Sequence, residues 1–190
     1  MIIELALSCS KLLFLLIYFN CLIHLIIQLF HISLLISIEE KLYALGFELP
    51  SPPKSSGSYI PLVEVNGLIF VSGQIPLDTS SDPVTIKYQG KIGKDTTLEK
   101  GQNAAILCTL NALALLKEHL GSLEKIKKIV KLSAYVNCIE AFSDHPNVVN
   151  SASNLLERLF GEKGKHSRIA IGVESLPFGS TIEIDFLVSI

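Results

Sequence analysis

The amino-acid sequence predicts a two-layer α+β domain running from Ser37 to the C-terminus. Three observations lead there. Asn66-Gly67 separates the apolar runs Val63-Glu64-Val65 and Leu68-Ile69-Phe70-Val71, and Asn-Gly between such runs signals a hairpin because both residues tolerate positive φ. Two later stretches repeat apolar residues at helical spacing and end on glycine. Val130, Leu132, Ala134 and Val136 alternate with more polar neighbours, as in a strand with one buried face. Strands with helices on one face make two layers around one core.

In chain order, Ser37-Ile38-Glu39-Glu40 reads as a capping box opening a short helix that Gly46 ends. Pro50, Pro52 and Pro53, with Ser55, Ser56 and Gly57, form an extended connector before the hairpin. Asp78 to Lys94 is polar and glycine-bearing. It reads as a long loop with a short strand near Tyr88. Thr96-Thr97-Leu98-Glu99 offers a second capping box. Ala104, Ala105, Cys108, Leu110, Leu113, Leu116 and Leu120 then mark the first long helix, closed by Gly121. After the alternating strand, Asp144 and Pro146 start a second helix, with Val148, Val149, Ala152, Leu155, Leu156, Leu159 and Phe160 as its buried face and Gly161 as its stop. Two strands near Arg168–Val173 and Thr181–Val188, joined by Leu176-Pro177-Phe178-Gly179, read as a closing hairpin.

The formal net charge is −2, with acidic and basic residues interspersed. The densest basic run, Lys125, Lys127, Lys128 and Lys131, reads as a solvated helix end, and no basic-aromatic patch supports nucleic-acid binding. The four cysteines, Cys9, Cys21, Cys108 and Cys138, make no Cys-x-x-Cys pair, and no metal set is expected. Cys108 and Cys138 read as small buried hydrophobes.

From Leu12 to Ile36 no residue is charged, a span long enough for a transmembrane helix, which needs about 20 apolar residues. Residues 1–36 have three readings. A membrane anchor would place the N-terminus in the cytoplasm, with Lys11 before the span and Glu39 and Glu40 after it, though Glu4 opposes Lys11. A cleaved signal peptide is disfavoured by the span's length and by the lack of a small-x-small site after it. An upstream extension outside the natural protein fits the abundance of Ile, Leu and Phe, residues of AT-rich codons, and would start the domain near Ser37. Asn20, His24, Gln28 and His31 form a polar stripe at helical spacing in this span, without a third metal ligand. The expected location is cytoplasmic, or membrane-anchored if residues 12–36 are a genuine helix.

Four stretches resemble the Rid (YjgF-like) imine-deaminase family, in the endoribonuclease L-PSP-like superfamily. They are Gly57-Ser58-Tyr59; Phe70-Val71-Ser72-Gly73-Gln74-Ile75-Pro76; Val149-Asn150; and Arg168 followed by Leu176-Pro177 and Ile182-Glu183-Ile184. Asn111, Ser153, Phe160-Gly161 and His166-Ser167-Arg168 resemble a subgroup of that superfamily. The resemblance covers residues 37–190. It implies a chorismate-mutase-like fold, a mixed sheet with two helices on one face, assembled as a homotrimer with sites in the clefts between subunits. It also implies hydrolysis of reactive enamine and imine intermediates, such as 2-aminoacrylate, to a 2-keto acid and ammonia, without a cofactor.

Such a substrate carries a planar carboxylate beside an electrophilic C=N carbon. The resemblance makes Arg168 the carboxylate clamp, which suits guanidinium because it offers two parallel donors and stays charged. Flanked by Ile169, Ala170 and Ile171, it is expected on a buried strand, where it needs a partner. Glu183 matches the family acid and would move protons while water attacks the imine carbon; an ion pair with Arg168 is the structural alternative, and Asp185 a lesser substitute. Tyr59, Ser72, Gly73, Asn150 and Ala170 are the expected substrate-binding positions. Ser58 stands where proline is common, and Ala170 where a cysteine acting through its backbone is familiar. His166 is expected in a loop, with an extra site group as the alternative. The competing functions are a non-catalytic trimeric module for small carboxylates, which keeps Arg168 without needing Glu183, and a membrane-tethered scaffold.

Overall fold

The computed structural model describes Phe19, residues 22–24, 36–54 and 57–190. Most of the apolar span, with Asn20, Gln28 and His31 of its polar stripe, lies outside them. Among the described residues, no helix is long and apolar enough to cross a membrane. Ile38 to Ile190 form one compact unit.

That unit begins with α1 (Ile38–Ala44), which Gly46 follows at φ 82°. Ile38 and Leu42 bury its apolar side. The Ile38 amide donates to Glu124 Oε1 (2.8 Å) and Glu39 pairs with Lys117, so the first turn of the helix is tethered by polar contacts. The hairpin forms as expected: β1 (Leu62–Val65) pairs antiparallel with β2 (Leu68–Gln74) through Asn66-Gly67, both at positive φ. The loop that follows contains a small ribbon, β3 (Leu77–Asp78) with β4 (Thr85–Ile86). The strand expected near Tyr88 is thus two residues earlier, and Gln89 adds only an isolated bridge to Ser180.

The long helix α2 (Leu98–Leu120) is capped by Thr97, whose hydroxyl accepts from the Lys100 amide. The cap lies one residue later than the box read from Thr96. Gly121, at φ 77°, closes the helix as expected. Then come β5 (Lys128–Asn137), α3 (His145–Phe160), β6 (Ser167–Val173) and β7 (Ile182–Ser189). The five-stranded sheet has the order β1-β2-β7-β5-β6. It is mixed, since β5 and β6 run parallel while the other pairs are antiparallel.

The expected closing hairpin is therefore not formed. β6 pairs with β5 across the α3 crossover, and β7 inserts between β2 and β5. The connection after β6 carries the chain past the end of β5, where the Asn137 amide donates to the Thr181 carbonyl, instead of back along β6, and the central position gives β7 two partners for its backbone groups. Both long helices cover one face. Ile182, Ile184, Phe186 and Val188 of β7 join Leu132, Ala134 and Val136 of β5 in the core beneath them. The opposite face has no helix over it among the described residues. It carries exposed Val63, Val65, Phe70, Ile169 and Ile171. Cys108 is buried as expected, and so is Cys138, whose sulfur lies 3.3 Å from His145 Nε2.

Candidate functional site

The Ser-Gly-Gln run of β2 bends the sheet where chemistry can enter. Val71 pairs with Phe186 and Gln74 with Ile184, so Ser72 and Gly73 together oppose Asp185. This is a β-bulge, which leaves backbone unpaired and re-aims side chains. Gln74 holds it: its buried side chain donates to the Ser72 carbonyl (2.9 Å) and the Gly73 carbonyl (3.4 Å). The Ser72 hydroxyl donates to the Ile60 carbonyl (2.9 Å) and the Ser72 amide to that of Pro61 (2.9 Å), tying the bulge to the connector.

Glu183 seats against this bulge. A Cβ at position 73 would overlap Glu183 Oε1 and lie 2.9 Å from its Cδ. Glycine is needed there for space rather than for φ. Burial, and then the neighbouring Asp185 carboxylate, push the Glu183 carboxyl above its ordinary range. Glu183 opens on a cleft of about 970 Å³ also lined by Tyr59, Ser72, Gly73 and Gln74, with Lys54 the one cation on its wall among the described residues. Replacing Gly73 with alanine should displace the carboxylate while leaving the core untouched. Turnover is expected to fall at least about tenfold with a melting temperature within a few degrees of the parent, measured side by side. Full activity would show that Glu183 need not sit where the bulge places it.

Arg168 belongs to a different surface. It pairs in register with Leu132, which pairs with core Phe186, whereas Glu183 pairs with Tyr135, which pairs with Ile171 of the uncovered face. The two functional candidates therefore project from opposite faces of the sheet. The ion pair that was the structural alternative for Glu183 is not formed within the chain, and the strand expected to be buried is an edge strand with Arg168 exposed. The flanking Ile169 and Ile171 suggested burial, yet both are exposed.

What does hold Arg168 is α3. Its Nη1 donates to Asn150 Oδ1 (2.9 Å) and Ser153 Oγ (3.1 Å). Residues three apart share a helix face, which is how both reach one guanidinium. His166 Nδ1 lies 2.6 Å from the Gly164 carbonyl, so that nitrogen carries the proton. Its Nε2, 3.0 Å from Ser153 Oγ, then accepts from the serine hydroxyl. The chain Arg168–Ser153–His166–Gly164 orients the guanidinium through Nη1 and leaves Nε and Nη2 for a carboxylate. These groups line a smaller recess of about 220 Å³ with Glu157 and Lys165.

One chain thus gathers Tyr59, Ser72, Gly73 and Glu183 in one cleft, and Arg168 with Asn150 outside it. Ala170 lies two residues along β6 from Arg168 and pairs with Ala134. Sequence reasoning missed Gln74 as the bulge clasp, although it stood within the quoted motif. It also left Ser153 without a role and gave His166 only as an alternative site group, with no partner named. The Asn150/Ser153 spacing of three was the available signal for the first, and the position two before Arg168 for the second. Among the described residues, no group of three or more His, Cys, Asp or Glu side chains is placed to hold a metal ion.

Comparison with known proteins agrees with this architecture. A protein named TCP17 from Trypanosoma cruzi is 35% identical over 154 residues, covering 80% of this chain and 94% of its own. A protein of unknown function from Agrobacterium tumefaciens superposes with a TM-score of 0.74 at 39% identity, over 80% of this chain and 92% of that one. A Shewanella oneidensis protein gives a TM-score of 0.76 at 34% identity, over 81% and 99% respectively. The family described as "YjgF/chorismate mutase-like, putative endoribonuclease" matches residues 39–189. By that match, and by the mixed sheet with two helices on one face, the chain belongs to the YjgF/chorismate mutase-like family.

Proposed function

We propose that this protein hydrolyses reactive enamine and imine intermediates of the 2-aminoacrylate kind, using Glu183 to move protons and Arg168 to hold the substrate carboxylate. Glu183 is the observation that carries the reading. It is a half-buried carboxyl with a raised pKa, fixed against Gly73 at the wall of a large cleft, which suits a group that must both take and return a proton near neutral pH. The reaction it would serve is R–C(=NH)–COO⁻ + H₂O → R–C(=O)–COO⁻ + NH₃. Glu183 takes a proton from the attacking water and returns it to the departing nitrogen. Ser72 and Tyr59 offer hydroxyls in the same cleft.

Arg168 would come from a neighbouring subunit. Its open guanidinium edge lies on an edge strand of one copy, while the cleft with Glu183 lies elsewhere on the same copy. A cyclic trimer joins unlike patches of successive subunits, so it could close each site with one residue from next door. The exposed Val63, Val65, Phe70, Ile169 and Ile171 are the apolar surface such an assembly would cover. Light scattering is expected to give the mass of a trimer. A monomer across the micromolar range would remove the shared site.

The deciding assay generates imino acids with an amino-acid oxidase and follows ammonia release. The expected result is acceleration above the spontaneous rate, without added metal or cofactor. Tight binding of 2-keto acids with no acceleration would instead identify a carboxylate-binding module.

A further inference from the structure

We infer that the Glu183 cleft selects acids with a large apolar or aromatic side chain, and that Phe178 is the residue that makes the selection. The inference deepens the functional reading above and rests on it for the reacting end of the substrate.

Size and lining come first. At about 970 Å³ the cleft is at the upper end of the roughly 300–1,000 Å³ typical of sites for much larger ligands than a three-carbon acid. Ser72, Gly73 and Glu183 meet on one part of its wall, and Ser51, Lys54 and Thr79 add polar groups elsewhere. Between them the lining is mostly apolar, with Pro52, Pro53, Val84, Ile86, Pro177 and Phe178 its main contributors. A methyl or methylene group would cover little of that wall. A branched or aromatic side chain would cover much of it, and the gain follows the apolar area removed from water.

The second observation is independent of the cavity. Phe178 sits at φ 55°, ψ 21°, a left-handed conformation that bulky residues rarely adopt. It is also 66% exposed in the single chain, so no packing within its own chain repays the strain. Two tethers hold its turn in place: Gln89 Nε2 donates to the Phe178 carbonyl (3.0 Å), and the Gly90 amide to that of Gly179 (2.9 Å). Strain that the surroundings maintain without a packing return points to a role outside the folded chain. The opposite wall is likewise anchored, since Thr79 Oγ1 donates to the Ser51 carbonyl (2.8 Å) and ties the proline connector to the β3–β4 ribbon. An aromatic ring held out over prolines and aliphatic side chains, continuous with an acid–base group, suits the apolar tail of the molecule that group acts on.

The test uses the full chain and three stable product acids as probes: pyruvate, 4-methyl-2-oxopentanoate and phenylpyruvate. Calorimetry is expected to show phenylpyruvate and 4-methyl-2-oxopentanoate bound at least about tenfold more tightly than pyruvate. Phe178→Gly is expected to bring that ratio towards parity. Because glycine relieves the left-handed backbone, the same variant should melt no lower than the parent, whereas a merely structural phenylalanine would lower the melting temperature on removal. Phe178→Leu, an apolar replacement, should keep part of the preference. Equal or tighter binding of pyruvate would overturn the inference. So would a ratio that Phe178→Gly leaves unchanged, or binding of none of the three acids. Preference for the large acids with no ammonia release from any imine would refute the deaminase reading and leave the selectivity standing. Ammonia release at equal kcat/KM from small and large imines would do the reverse.

Discussion

Replacing Arg168 with alanine is expected to reduce imine hydrolysis by at least about tenfold to hundredfold, since losing a charge-assisted pair to a carboxylate is worth about 1.5–3 kcal/mol. The fold should be indifferent. The side chain is exposed on an edge strand, and among the described residues its hydrogen bonds go to Asn150 Oδ1 and Ser153 Oγ. Arg168→Lys should also be poor, because an ammonium is a point charge and cannot offer two parallel donors. Asn150→Ala and Ser153→Ala test the orientation separately. Each leaves the charge but frees Nη1, so each should raise KM with a smaller effect on kcat. Parental rates in Arg168→Ala would dismiss the clamp. In that event Lys54→Ala is the informative variant, because Lys54 is the cation that lines the Glu183 cleft within one chain. Loss of activity there would mean that each copy carries a complete site.

The elements of this fold were legible because their signals are local. Asn66-Gly67 takes the positive φ its hairpin needs, and both long helices end on the glycines that follow their apolar repeats. What the chain does not write locally is pairing. Arg168–Val173 and Thr181–Val188 look alike as strands, yet the first becomes an exposed parallel edge and the second the centre of the sheet. Ile169 and Ile171 misled for the same reason. An apolar alternation reports that a face wants cover, not whether the chain's own helices supply it. The candidate site divides along that line. Ser72, Gly73 and Glu183 meet because β2 and β7 are neighbours with a bulge between them, so a motif and an antiparallel register suffice to join them. Arg168 and Glu183 were expected in one site, without the subunit that supplies each being legible, and no pairing within one chain can bring them together while they occupy opposite faces.

Glu183→Gln separates binding from turnover, and pH separates both from stability. The amide keeps the shape and the contact with Gly73 but cannot take a proton. Keto-acid binding should persist while ammonia release falls by about 10²–10⁴, the usual worth of a positioned acid–base group. The folded protein raises this carboxyl's pKa, first by burial and then through Asp185, so folding favours its protonated form. Below the unfolded range, about pH 4, the group is neutral whether folded or not and burial carries no ionic penalty. As pH rises through the unfolded and then the folded pKa, the carboxyl ionises against its surroundings and that stability is lost. Glutamine never ionises. Glu183→Gln should therefore melt higher than the parent near pH 7 and match it near pH 4, and the gap should open between those values. A stabilised, ligand-binding and inactive variant is the signature of a carboxylate kept for chemistry at the expense of the fold. If the variant instead hydrolyses imines at the parental rate while Arg168→Ala does not, the arginine binds the substrate and the proton passes elsewhere. Asp185, which receives the Tyr135 hydroxyl at 3.4 Å two residues along the same strand face, is then the next carboxylate to remove, and loss of turnover in Asp185→Asn would place the proton transfer there.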